Sequence, residues 1–175
     1  FTDEESFTTY GSDETEKLHY TPQVVVKPRK AEEIALLLQL CNKHLIPVTP
    51  RGAGTGLTGG ALPHLGGVVI SMERFNKILE IDELNLQATV EPGVITEVFQ
   101  NAVKEKGLFY PPDPASKGSC FLGGNLAQNS GGPKAVKYGV VKDYVLNLEM
   151  VLADGSIMWT GANVLKNATG YNLTQ

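Results

Sequence analysis

Cysteine is scarce in this chain. The two in 175 residues, Cys41 and Cys120, make neither a disulfide framework nor a metal-ligand spacing. That usage fits a reducing compartment, and we expect a cytoplasmic protein. Histidine is scarce too. His19, His44 and His64 are scattered without paired spacing, so each is read as a surface or packing residue and no metal is expected. Long apolar runs are missing: the stretch around Ile34 to Leu40 is far below the roughly 20 residues of a membrane-spanning helix, which excludes a span there. An excess of positive charge is missing as well. With a net charge of -4, a pI near 5.4 and no basic cluster interleaved with aromatics, nucleic acid is excluded as the expected partner. The chain opens on Phe1 with no charged-then-apolar leader, so no secretory segment is expected and residues upstream are expected to have been lost. What is present, 42% hydrophobic and 19% charged residues, is the composition of one globular domain with a core.

Along the chain, residues 1–20 are polar and acidic without sustained apolar periodicity and read as an irregular arm before a domain over 21–175. Gln23 to Lys27 reads as a short Val-rich strand. Ile34, Leu37, Leu38, Cys41 and Leu45 then fall at steps of three and four, which predicts a helix from about Ala31 to His44 with those residues on its core face. Pro47 to Pro50 is a second strand, giving a βαβ-like unit that runs straight into glycine. Gly67 to Ser71 is a third strand, and Ile78 to Asp82 with Gln87 to Glu91 a strand pair joined by a turn. Val98, Phe99, Ala102 and Val103 predict a second helix from Thr96 to about Lys106, with Thr96 as N-cap and Gly107 as stop. Val145 to Leu152 and Ser156 to Thr160 flank Asp154-Gly155, a hairpin signal. The class is α+β.

The glycines carry the chemistry. Seven of the 19 lie between residues 51 and 67 and six between 118 and 139. A loop such as Arg51-Gly-Ala-Gly-Thr-Gly56 can turn its N–H groups toward an anion, and a diphosphate is the obvious guest. Gly54 to Gly59 also satisfies G-x-G-x-x-G, with Glu80 or Asp82 at the spacing of a dinucleotide fingerprint. That fingerprint needs a helix next, and Gly60-Ala-Leu-Pro-His-Leu-Gly-Gly67 forbids one. No G-K-[ST] follows any of these glycines, which removes the P-loop reading. The second cluster runs from Pro111 through Gly118 to Gly139. Its small and amide side chains at Ser116, Ser119, Asn125 and Asn129 offer donors and acceptors. Cys120 reads as a small lining residue rather than a nucleophile. Lys134, Lys137 and Lys142 either attract an anion or form a solvated face. Arg51 either pairs with a diphosphate or caps the sheet beside Glu73.

Six ordered motifs, Arg51 to Gly60, Val90-Glu-Pro-Gly93, Gly107 to Pro114, Gly123-Gly-Asn125, Asn129 to Gly132 and Tyr138-Gly139, together with the strand Gly67 to Ser71, carry a resemblance. From about Thr21 onward the chain resembles the flavin domain of the glycolate oxidase large subunit and D-lactate or D-2-hydroxyglutarate dehydrogenase group, within the vanillyl-alcohol oxidase and p-cresol methylhydroxylase family. The resemblance implies an FAD-binding PCMH-type domain of two α/β lobes. It implies that Pro50, Arg51, Gly52, Ala53, Gly54, Thr55, Gly56, Leu57 and Gly60 cradle the diphosphate. It further implies that Pro111, Pro112, Asp113, Pro114, Ser116, Gly118, Gly123, Gly124, Asn125, Asn129, Ser130, Gly131, Gly132, Tyr138, Gly139 and Val141 line the ribityl chain and ring. Some relatives tether flavin through a histidine in the first loop. Residues 51–60 have none, so non-covalent FAD is expected.

In that family a segment like Gly170 to Thr174 is followed by another flavin loop and a substrate domain, whereas this sequence runs to Gln175. The domain is therefore expected to be incomplete at its C-terminal end, with no catalytic acid or base to name. The implied activity is oxidation of a small D-2-hydroxy acid by hydride transfer to flavin, with the electron acceptor left open among a quinone, a partner flavoprotein, an iron–sulfur subunit and oxygen. The alternatives are a branch of the family acting on a phenol, sugar lactone or ether lipid, and a non-catalytic flavin-binding module. Gly54→Val is expected to remove most FAD affinity while leaving the fold largely intact.

Overall fold

The computed structural model describes residues 1–174. Its first helix, α1 (Glu4–Tyr10), starts at an Asp3 cap whose carboxylate accepts the Ser6 N–H at 2.9 Å. Then come β1 (Val24–Val26), α2 (Ala31–His44), β2 (Val48–Arg51) and β3 (Val68–Ser71). β3 pairs in parallel with both others, in the order β1-β3-β2, with Val24 and Val48 each facing Val68. The βαβ-like unit is thus opened, and the later strand sits between the two earlier ones. Its sequence explains why: Val68-Val-Ile-Ser71 is buried throughout, as a central parallel strand requires. β2 contains Pro50, which has no N–H to give a ladder and so belongs at an edge.

Alternation along the strands divides the core. Val68 and Ile70 face α2, where they pack with Ile34 and Cys41. Val25 and Val69, each fully buried, face the other way onto Tyr10 of α1, with Phe7 alongside. Full burial of one such side chain stabilises by about 1.5–3 kcal/mol. Residues 1–20 are consequently not all irregular: seven form a helix that makes the second layer of the sheet. Phe7 and Tyr10 are too few apolar positions for a periodic signal. Leu45, expected on the core face of α2, is instead the left-handed C-cap at φ 53° and 88% exposed.

A second core lies beyond. β4 (Ile78–Asp82) and β5 (Gln87–Val90) pair antiparallel, and their turn is held by Asp82 accepting the Leu84 and Asn85 N–H groups. Ile78, Ile81 and Val90 pack on Val94, on Phe99 and Val103 of α3 (Thr96–Glu105), and on Leu122 of α4 (Leu122–Ala127). Ile95, not Thr96, is the N-cap of α3; the Thr96 hydroxyl is buried, shared by the Cys120 carbonyl and the Asn125 amide. Gly107 ends the helix at φ 74° as expected. After α5 (Ala135–Tyr138) and a 3-10 turn at Val141–Tyr144, β6 (Glu149–Val151) and β7 (Ile157–Trp159) form the expected hairpin, which returns to α2 through Val151. No helix among the described residues is long and apolar enough to cross a membrane.

Candidate functional site

The first glycine loop leaves the carboxyl end of β2, where open parallel sheets place ligands. It meets α4 directly: a Cβ on Gly52 would stand 3.9 Å from Gly124 and from the Phe121 Cβ, and Gln128 Nε2 donates to Thr58 Oγ1 at 3.1 Å. The two clusters are therefore neighbours in space. Along residues 52–57 no backbone N–H donates to another described residue, although Gly59 N–H does, to Thr15 Oγ1 at 2.9 Å. Gly124 N–H is likewise without an acceptor among the described residues. The space beside these donors is open, since a Cβ built on Gly56 or Gly124 would meet nothing within 4 Å. Backbone donors are normally paired, so such a row beside an open cradle has the chemistry of an anion site.

Of the two roles its sequence leaves open, Arg51 lies nearer the structural one. Its side chain is buried, donating from Nη2 to the Thr9 carbonyl at 3.2 Å and from Nη1 to the Tyr10 carbonyl at 3.5 Å. The guanidinium also lies 5.4 Å over the Tyr10 ring. Burial pulls its pKa below the usual value, opposed by the charges of Asp13, Tyr10 and Glu73. It fills the space beneath Gly54, whose φ is 74°, and any Cβ there would overlap it. Arg51 thus supports the loop from behind, with its guanidinium engaged by the Thr9 and Tyr10 carbonyls. Of the other residues expected to cradle a diphosphate, Pro50 is exposed on β2, Ala53 and Thr55 are half-buried in the loop, Leu57 is 73% exposed, and Gly60 sits near the Gln128 amide.

The second cluster is stitched by its backbone. Asp113 N–H donates to the Gly131 carbonyl at 2.9 Å, Val141 N–H to the Ser130 carbonyl at 3.0 Å, and Ser130 N–H to the Asn125 carbonyl at 2.9 Å. Residues 111–114, 123–125, 129–132 and 139–141 are brought together this way. Pro111 and Pro112 are buried, and Gln100 Nε2 donates to the Pro112 carbonyl at 2.7 Å. The Pro114 carbonyl accepts Lys117 N–H and the Ser116 carbonyl accepts Ser119 and Cys120 N–H, closing a turn that leaves Gly118 exposed. Gly123 is pressed on Pro92 and donates to its carbonyl at 2.8 Å.

Several side chains expected to offer ligand contacts serve the fold. Asn125 is 3% exposed and its amide donates to Thr96 Oγ1 at 2.5 Å. Asn129, at φ 47°, accepts the Lys142 N–H at its Oδ1. Asp113 pairs with Lys117 at 2.8 Å and Lys134 at 3.2 Å, and those ammonium groups, Lys117 first, hold its carboxyl below the usual range. Cys120 is 3% exposed against Thr96 Oγ1, a core residue and not a lining one. Val141 is fully buried, and Gly132 and Gly139 take φ 101° and 81° over Asp113 and Asp143. Tyr138 is half-exposed against Phe109, ring centroids 5.5 Å apart, with Lys137 over its face. No group of three or more His, Cys, Asp or Glu among the described residues could hold a metal. Sequence reasoning missed Thr9, Tyr10 and Thr15, which touch the first loop from a segment without any motif.

With this geometry in place, the comparisons are specific. Residues 22–161 match a family described as FAD binding domain. The chain is 49% identical to glycolate oxidase subunit GlcD of Bacillus subtilis (strain 168), over 95% of this chain and 35% of that protein. It is 45% identical to a D-lactate dehydrogenase of Anaerostipes hadrus over 87% of this chain and 32% of that protein. With a D-2-hydroxyglutarate dehydrogenase of Stutzerimonas stutzeri (strain A1501) it shares 37% identity, over 99% of this chain and 38% of that protein. Among solved structures, an alkyldihydroxyacetonephosphate synthase superposes with a TM-score of 0.83 at 25% identity, covering 99% of this chain and 36% of that one. The chain spans about a third of the length of the curated relatives it matches.

Proposed function

From the family to which this chain belongs, the FAD binding domain family, we propose that it is the FAD-binding part, residues 21–175, of an oxidoreductase acting on a small D-2-hydroxy acid. Glycolate, D-lactate and 2-hydroxyglutarate are the candidates, from relatives whose names carry those substrates. The observation that carries the cofactor assignment is the row of N–H groups over residues 52–57, with Gly124 N–H, beside the space left open at Gly56 and Gly124. Bound FAD supplies the ring system that takes up the hydride from the hydroxyl-bearing carbon.

The residues of this chain bind and orient. Residues 52–57 hold the diphosphate by backbone amides, with Pro50, Arg51 and Gly60 flanking them, and glycine at 52, 56 and 124 keeps side chains out of its way. The strap of residues 111–118, 123–125, 129–132 and 138–141 borders the ribityl chain and ring, largely through backbone, since Asp113, Asn125 and Asn129 are engaged within the fold. Buried Pro111, Pro112 and Val141 keep water from that side. Neither an acid nor a base is assigned to this chain. Non-covalent attachment, a cytoplasmic setting and a quinone, flavoprotein or iron–sulfur electron acceptor belong to the same proposal.

The test uses the full-length protein. It is expected to purify with FAD and to reduce an artificial acceptor with one of the three hydroxy acids. Affinity for nicotinamide cofactors without flavin binding would overturn the assignment, and turnover of a phenol, a sugar lactone or an ether lipid precursor alone would move it to another branch. Tight FAD without turnover of any of these would leave a flavin-binding module.

A further inference from the structure

The diphosphate loop is held at both ends by a segment outside the family match, which begins at residue 22. At the near end, Arg51 bridges the Thr9 and Tyr10 carbonyls from two nitrogens, and its guanidinium occupies the space beneath Gly54. At the far end, Gly59 N–H donates to Thr15 Oγ1 at 2.9 Å. Thr15 is itself set in place, because its N–H donates to Asp13 Oδ1 at 2.8 Å. The arm is fastened to the sheet independently of the loop. Phe1 and Val25 exchange N–H···O bonds of 2.8 and 3.0 Å, the Tyr10 hydroxyl donates to Glu73, and Lys27 pairs with Glu73 at 3.0 Å while lying over the Phe1 and Tyr10 rings. Between the two anchors lie the N–H groups of residues 52–57 without acceptors among the described residues.

A loop with glycine at 52, 54, 56, 59 and 60 has an unusually large choice of backbone conformations, and a ligand binding to it would bear the whole cost of ordering. Fixing its ends beforehand removes part of that cost. We propose that the N-terminal arm is a positioning element of the diphosphate loop, with Thr15 and, through Arg51, the Thr9 and Tyr10 carbonyls setting the loop in its binding conformation. This rests on the reading of residues 52–57 as the diphosphate cradle. The arm residues act on the loop through Arg51 and Gly59.

The experiment compares the full-length protein with its Thr15→Val, Thr15→Ser and Arg51→Lys variants, each stripped of flavin and titrated with FAD. Thr15→Val keeps shape and loses the acceptor, so FAD affinity is expected to fall five- to tenfold while the melting temperature of the flavin-free protein moves by no more than about 2 °C. Thr15→Ser keeps the acceptor and is expected to bind like the parent. Arg51→Lys cannot span two carbonyls from separate nitrogens and is expected to lose at least as much affinity as Thr15→Val. Amide exchange over residues 52–60 of the flavin-free protein is expected to quicken in Thr15→Val and Arg51→Lys and not in Thr15→Ser. A parent that binds FAD while Thr15→Val binds within twofold of it, or a Thr15→Ser as defective as Thr15→Val, overturns the inference alone. A parent without FAD affinity overturns the cradle reading and this inference with it.

Discussion

Gly56→Ala separates a ligand cradle from an ordinary turn more cleanly than any other single change in the first loop. A Cβ at Gly56 meets nothing within 4 Å, and its φ lies outside the left-handed range. The added methyl therefore strains nothing in the flavin-free protein. It narrows the unfolded ensemble instead, which is worth about 0.4–1 kcal/mol of extra stability where the backbone is compatible. If the diphosphate occupies the open space, the same methyl displaces it from the row of N–H groups. We expect at least a tenfold loss of FAD affinity, about 1.4 kcal/mol. The assay is titration of stripped full-length protein with FAD, followed by flavin fluorescence, beside a thermal melt without flavin. Binding within threefold of the parent, under about 0.7 kcal/mol, would refute the cradle. Gly54, which the motif alone singles out, is the poorer probe. Its φ of 74° and the guanidinium beneath it mean that Gly54→Val, expected from sequence to spare the fold, costs stability as well as affinity.

Gly132→Ala is expected to destabilise by more than about 2 kcal/mol in urea unfolding, because φ is 101° and the Cβ would run into the Asp113 carbonyl. Gly107→Ala, with a similarly positive φ but open surroundings, is expected to cost only about 1 kcal/mol. Asp113 has its carboxyl lowered by Lys117 and then Lys134, so its contribution to stability is complete above the unfolded value of 3.8 and lost as pH falls through the lower folded one. Asp113→Asn is expected to be less stable at neutral pH and to show a flatter stability profile below about pH 4, read from thermal melts across that range. Acid precipitation of the holoprotein is expected to leave FAD in the supernatant, since residues 51–60 contain no histidine; yellow pellets would refute non-covalent binding.

Much of the fold was legible because its signals are local. The α2 face, the Asp154-Gly155 hairpin and the glycine stop at 107 each follow from residues within one element, and each stands where expected. What was not legible is long-range. Nothing near β1 or β2 announces that Val68 to Ser71 will come between them, since register in a parallel sheet is decided by packing on both faces. The same holds for α1, whose polar sequence shows only Phe7 and Tyr10 to the core, and for Leu45, where the spacing was right but the helix had already ended. At the candidate site, glycine spacing marked two irregular loops, because backbone conformation is written in glycine. It could not separate Asn125, committed to Thr96, from the open Gly124 beside it.

The loop after β2 also shows why a matched expression can mislead while its physics does not. Gly54 to Gly59 satisfies the dinucleotide fingerprint, yet residues 57–67 contain no helix, and Gly59, Gly66 and Gly67 all take positive φ on the way to β3. Without a helix there is no aligned row of peptide dipoles to draw in a diphosphate or to hold its amide donors in parallel. The donors here belong to irregular backbone, and irregular backbone keeps a shape only where other groups impose it. The surroundings that impose it are the Arg51 guanidinium below Gly54, Thr15 at Gly59 and α4 alongside Gly52. Arg51 further supplies positive charge behind the loop at 7% exposure, where solvent screens it less than it would an exposed cation. On the proposed reading, a buried cation and a docked arm take over the two tasks that a helix N-terminus performs elsewhere.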